Sequence, residues 1–159
     1  MPKHDLRFEL LGSLDELNSV LGLVKTKITE MQQAAFIESL QNRIMTLSAY
    51  IADDYNDEYL ISESDVAELE NKTREMRTLY PKQTLLTIPG HNEVSAHIDV
   101  SRTIARRVER NLSRAHETKP MPESVLEFMN SLSGFLFAFA RYVEHKMKSE
   151  TIEKKDVWS

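Results

Sequence analysis

Leu6-Arg-Phe-Glu-Leu-Leu-Gly-Ser-Leu-Asp-Glu-Leu-Asn-Ser-Val-Leu-Gly-Leu-Val-Lys-Thr-Lys-Ile28 places apolar residues at Leu6, Leu10, Leu14, Leu17, Leu21, Val24 and Ile28. Steps of three and four residues put them on one side of an α-helix, whereas a half-buried strand would need alternation. The segment therefore reads as one long helix with a continuous apolar seam, weakened slightly by Gly12 and Gly22.

The same period continues through the chain. Phe36, Leu40, Ile44, Leu47 and Ile51 form the buried face of a second helix from about Gln33 to Asp54, after which Asn56 and Asp57 open a loop. Ser62 or Ser64 caps a third helix that carries Val66, Leu69, Met76 and Leu79 and stops before Pro81. Asn92 caps a fourth, running to about His116 with Val94, Ile98, Ala105, Val108 and Leu112 inward. Beyond the break at Lys119-Pro-Met-Pro, a fifth helix from about Glu123 to Met147 carries Val125, Phe128, Leu132, Phe135, Leu136, Phe139 and Val143. Thr84-Leu-Leu-Thr-Ile-Pro-Gly-His-Asn92 is the one stretch without helical character, because Pro89-Gly90 signals a turn. The expected class is all-α, a five-helix up-down bundle formed as a single domain over residues 1–150, followed by a charged, frayed tail over residues 151–159.

Composition narrows the function. A chain of 159 residues that is 41% hydrophobic can bury one ordinary core. With no cysteine it has neither disulfides nor thiolate chemistry, which suits a cytoplasmic setting. No apolar run is long enough to span a membrane or act as a signal peptide. The net charge of −5 argues against broad nucleic-acid binding and favours a small anionic ligand for any local basic site.

Such a site is present. Arg102, Arg106, Arg110 and Arg114 recur every fourth residue, so four guanidinium groups share one face of the fourth helix. Like charges at this spacing oppose helix formation by roughly 0.2–0.5 kcal/mol per pair, so negative groups are expected opposite them. Those groups are carboxylates of the same chain, carboxylates of a second subunit, or ligand phosphates, which the guanidinium fork suits. Asp15, Glu16 and Asn18 on the first helix are candidates, although such residues are as readily plain solvated surface. Asn130, Ser131 and Ser133 interrupt the apolar face of the fifth helix and need partners, helix-packing hydrogen bonds being the simplest. Arg141, Glu144 and His145 read as ordinary surface neighbours. The five histidines form no i,i+4 pair and no His-Glu-x-x-His motif, and phosphate-loop and nucleophile-elbow signatures are absent. On residue chemistry alone, the chain is a helical bundle with an anion site.

Three segments together resemble the trimeric ATP:cob(I)alamin adenosyltransferases of the PduO type. They are Asp5 through Ser19, Ile88-Pro-Gly through Arg102-Thr-Ile-Ala-Arg-Arg-Val-Glu-Arg110, and Met129-Asn-Ser-Leu-Ser-Gly-Phe-Leu-Phe-Ala-Phe-Ala-Arg141. The resemblance implies a bundle that assembles as a homotrimer, binds ATP with Mg2+ between subunits, and holds a cobalamin or other corrinoid beside it. It implies that Arg102 pairs with Asp15 across the interface, that Arg106, Arg110 and Asn130 contact the nucleotide together with Arg102, and that Glu16, Arg107 and Glu109 brace the site. Leu86, Pro89, Gly90 and His91 would lie near the corrinoid, with His91 a candidate cobalt ligand. Arg114 falls beyond the matching segment and reads as surface.

Three departures temper these expectations. Relatives usually open with a Thr-x-Thr-Gly-Asp-x-Gly segment that wraps the ATP phosphates, and this sequence, starting at Met1, carries none. A phenylalanine that keeps the lower cobalt ligand away is replaced, at the corresponding position, by Leu86. The usual Pro-Gly-Gly reads Pro89-Gly90-His91, and the usual Asn-Arg-Leu-Ser-Asp reads Asn130-Ser131-Leu132-Ser133-Gly134. The alternative expectation is thus a non-catalytic member that binds a corrinoid or nucleotide, or a structural trimer.

Overall fold

The computed structural model describes residues 6–82 and 88–158, with side chains described to residue 148. Five α-helices make up nearly all of it: α1 (Leu6–Lys27), α2 (Met31–Ala52), α3 (Glu63–Arg77), α4 (Glu93–Thr118) and α5 (Glu123–Trp158). Among the described residues there is no strand, as the all-α expectation requires. A short 3-10 turn, Asp57–Tyr59, occupies the expected loop and is capped by the Asn56 side chain, which accepts a hydrogen bond from the Glu58 amide.

Several boundaries differ from the expected ones. The α2 helix stops at Ala52 because Asp54 and Tyr55 both take positive φ, 53° and 61°, which breaks the helical hydrogen bonding. Leu79 lies beyond the end of α3 and is half exposed rather than part of its buried face. The α5 backbone continues to Trp158 instead of ending near Met147, since the charged stretch that follows contains neither glycine nor proline to stop it. The start of α3 follows the expected chemistry closely. Ser62 accepts from the Asp65 amide while Asp65 accepts from the Ser62 amide, a reciprocal box that satisfies two end groups.

The helices form a ring in the order α1, α2, α3, α5, α4. Backbone packing joins α1 to α2 and α4, and α5 to α4 and α3. Arg43 closes the α2–α3 side through Asp65 at 2.9 Å. Adjacent helices run antiparallel, with one exception. Ser124 donates to the Ile61 carbonyl and Ser131 to Glu70, so α3 and α5 ascend together. An odd-membered ring of alternating helices must contain one such parallel seam.

The interior is filled largely by the residues that the periodicity selected, joined by Ile37, Tyr50 and Ile61. Leu10, Leu14, Leu17, Leu21 and Val24 of α1 are fully buried, as are Phe128, Phe135 and Phe139 of α5. Phe36 reaches across from α2 to meet Phe135 edge to face at 5.0 Å. Each such side chain contributes about 1.5–3 kcal/mol through removal from water, which far exceeds the small cost of the two glycines in α1. No described helix is long and apolar enough to cross a membrane.

Candidate functional site

The arginine-rich face of α4 and the facing side of α1 enclose an open cleft of about 890 Å3. Arg106, Arg107, Arg110 and Arg114 line it from α4, opposed by Glu9 and Glu16 of α1. The cleft lies between two antiparallel helices that are apolar only on their inner stripes. Their outer flanks carry the long charged side chains that line the cleft.

The four guanidinium groups are not equivalent. Arg107 is ion-paired with Glu16, and Arg114 with Glu9 at 3.4 Å. Asn111 bridges the helices below them, donating to Ser13 at 3.1 Å and accepting from Arg114. Arg106 and Arg110 are exposed beside these pairs and make no ion pair or hydrogen bond among the described residues. Glu109, on the α5 flank, accepts a hydrogen bond from Ser133. The carboxylates thus neutralise one pair of arginines and leave the other pair available to an anion.

Five of the twelve expected site residues converge, and Arg102 is not among the residues that line the cleft. Arg106, Arg107, Glu109, Arg110 and Glu16 share the cleft, and Arg114, read from sequence as plain surface, belongs to it as well. Asn130 is exposed on α5, one turn from the Ser133 that reaches Glu109. Asp15 is exposed on α1 and has no partner among the described residues. Because Glu16 faces Arg107, Asp15 stands about six residues from Arg102 along the axis, roughly 9 Å, so the two do not meet within one chain. Pro89, Gly90 and His91 are exposed just before α4, with Gly90 at φ 101°, a conformation suited to glycine. They lie roughly 20 Å along α4 from Arg106. Leu86 lies outside the described residues.

A second charged group escaped the sequence reading. Arg141 and Glu144, expected at the surface, are buried, because Arg141 packs into the α4–α5 seam against Asp99. Asp99 Oδ2 accepts from Arg141 at 2.6 Å, and its Oδ1 accepts from Arg102 Nε at 3.3 Å. Glu144 takes two further hydrogen bonds from Arg141, at 3.0 and 2.9 Å. Phe137 covers the outside, its ring 5.0 Å from the Arg141 guanidinium. Tyr80 lies nearby, its phenol pushed above the ordinary range by burial despite the opposing influence of Arg77 and Arg141. Only the i,i+3 spacing of Asp99 to Arg102 and of Arg141 to Glu144 hinted at this cluster.

Residues 1–143 match the family described as cobalamin adenosyltransferase. The chain is 30% identical over 149 residues to a corrinoid adenosyltransferase of Bacillus subtilis, covering 89% of this chain and 76% of that protein. It is 32% identical over 147 residues to one from Citrobacter freundii, covering 89% and 83%. A variant PduO-type ATP:corrinoid adenosyltransferase of Lactobacillus reuteri, solved with cobalamin and ATP, superposes with a TM-score of 0.84 at 27% identity, covering 93% of this chain and 85% of that one. With the five-helix architecture, the arginine-lined cleft and a family match that runs through nearly the whole bundle, the chain belongs to the cobalamin adenosyltransferase family.

Proposed function

We infer that this protein is an ATP:corrinoid adenosyltransferase that moves the 5′-deoxyadenosyl group of ATP to cob(I)alamin. The observation that carries this reading on the chain itself is the division of labour in the cleft, where Arg106 and Arg110 stay unpaired beside two neutralised arginines. Two adjacent free guanidinium groups on one helix face suit a polyphosphate better than a single carboxylate.

In the reaction, the cobalt(I) electron pair forms the Co–C bond with the 5′ carbon, and the C–O bonding pair leaves with triphosphate. Negative charge grows on that leaving group, and fixed cationic donors lower the barrier most at the point where charge develops. Arg106 and Arg110 supply this stabilisation, with Asn130 contacting the nucleotide and Arg107 and Glu109 holding the flanks. Magnesium would arrive with the triphosphate, which supplies the oxygen ligands it prefers.

The site is completed by a second copy of the chain in a homotrimer. Asp15 and Arg102 lie too far apart to pair within one subunit; Asp15 has no partner among the described residues and Arg102 is bonded to Asp99 through Nε alone, so its terminal nitrogens can meet an Asp15 of a second subunit. Pro89, Gly90 and His91, distant from the cleft of their own chain, would meet the corrinoid in the assembly, where His91 is available to cobalt. The test is direct. Protein, Mg-ATP and chemically reduced cobalamin should yield the spectrum of adenosylcobalamin, and Arg106→Ala should slow it at least about tenfold. No product from the native protein at millimolar ATP would sink the reading.

A further inference from the structure

Charge bookkeeping in the α4–α5 seam singles out Asp99. Arg141 is already met by both oxygens of Glu144, so this buried pair is neutral without help. Asp99 brings a further negative charge into the same dry region, with its side chain only 4% exposed. A buried carboxylate with no cation of its own is costly. The cation that balances it is Arg102, the member of the group that reaches solvent, with 23% of its side chain exposed. The quartet is thus two acids and two bases, anchored at Arg141 and Glu144 and delivering one guanidinium to the outer face beside Arg106.

We propose that Asp99 is a positioning residue that fixes the direction of the Arg102 guanidinium, with Arg141 and Glu144 as its buried anchor. Arg102 bonds through Nε to Oδ1 of Asp99, which leaves both terminal nitrogens of its fork available to a carboxylate beyond the subunit. A free arginine would lose rotamer freedom on forming such a pair, and prior fixing removes that cost. What the fixed guanidinium serves rests on the interfacial role proposed for Arg102 above; the fixing itself does not.

Arginine Nε–H exchange with water, read by NMR on 15N-arginine-labelled full-length protein, tests this without relying on catalysis. In the native protein the Arg102 Nε–H should exchange about tenfold more slowly than that of Arg106, the fold-change expected for one charge-assisted hydrogen bond. Asp99→Asn, which keeps an acceptor oxygen but removes its charge, should shrink that contrast while Arg141, still held by Glu144, stays protected. Equal exchange at Arg102 and Arg106 in the native protein, or a contrast undiminished by Asp99→Asn, overturns the proposal. So does simultaneous loss of protection at Arg102 and Arg141, which would mean general loosening of the seam. If Asp99→Asn does not fold, Asp99→Glu, which displaces the carboxylate by one methylene, is read by the same criterion. Failure of the native protein to transfer adenosyl groups would remove the functional reading and leave the exchange contrast standing.

Discussion

Arg106 and Arg107 are sequence neighbours with opposite surroundings, and substitution should separate them. Arg106→Ala or Arg110→Ala removes a guanidinium that has no carboxylate partner among the described residues. Calorimetric titration with Mg-ATP should show binding weakened by about 1.5–3 kcal/mol for either, with thermal stability scarcely changed. Arg107→Ala breaks a half-exposed ion pair with Glu16, so its stability cost should stay within about 1 kcal/mol. Equal losses of ATP affinity for Arg106→Ala and Arg107→Ala would contradict the division. The four-residue spacing made this face legible in the sequence, but not which members were neutralised. That depends on Glu9 and Glu16, nearly a hundred residues earlier, and on the antiparallel register that brings them opposite. Asp99 was invisible for the same reason, since its burial is set by Arg141 on another helix.

At the level of single helices, the ends carry most of the testable chemistry. Ser62→Ala removes one half of the reciprocal cap on α3 and should lower unfolding free energy by about 1 kcal/mol in urea titration. The start of α2 is tied to α5 through Glu30, which accepts from Lys146 and from Tyr142 at 3.0 Å. The Lys146 hydrogen bond, assisted by Tyr142 and opposed by partial burial, holds the Glu30 carboxyl below the ordinary carboxylate range. A depressed folded-state value means that Glu30 stabilises the fold above its unfolded-state pKa and loses that contribution as pH falls through the folded one. Stability measured in urea should therefore drop on acidification through the usual carboxylate range and below it. Glu30→Gln should flatten part of that slope, and an unchanged slope would refute the role. Helix existence and caps were readable from sequence because they are local, as Ser62 and Asn92 show. The end of α2 was not, because it is decided by two non-glycine residues at positive φ, held by Tyr55 stacking on Tyr50 and by Lys119 over the Tyr55 ring.

For the whole molecule, the order of helices around the ring lay beyond periodicity. Each apolar stripe identified a buried face, yet no stripe named its neighbour, and the parallel α3–α5 seam follows only from the closed five-membered arrangement. Most of the core was legible from the apolar spacing, although Ile37, Tyr50 and Ile61 escaped it and Leu79 proved half exposed. Phe135→Ala, at the meeting of α2 and α5, should cost about 3–5 kcal/mol by chemical denaturation. Assembly offers the complementary test of the proposed interface. Asp15→Arg, which would set like charges against Arg102 of a neighbouring subunit, should shift sedimentation from trimer to monomer; a native protein that sediments as a monomer would remove the interfacial pair.

The walls of the cleft also differ in when the chain can build them. The α4–α5 hairpin is local in sequence and can close early, whereas α1 reaches α4 only after two intervening helices have been accommodated. One wall, with its arginines, lies in a unit held by contacts close in sequence, and the other joins it through contacts far apart in sequence. Detachment of α1 in the folded protein would dissolve the carboxylate wall and leave the arginine helix standing. Amide exchange should then show α1 opening more readily than α4, and bound nucleotide should slow that opening if it spans both walls.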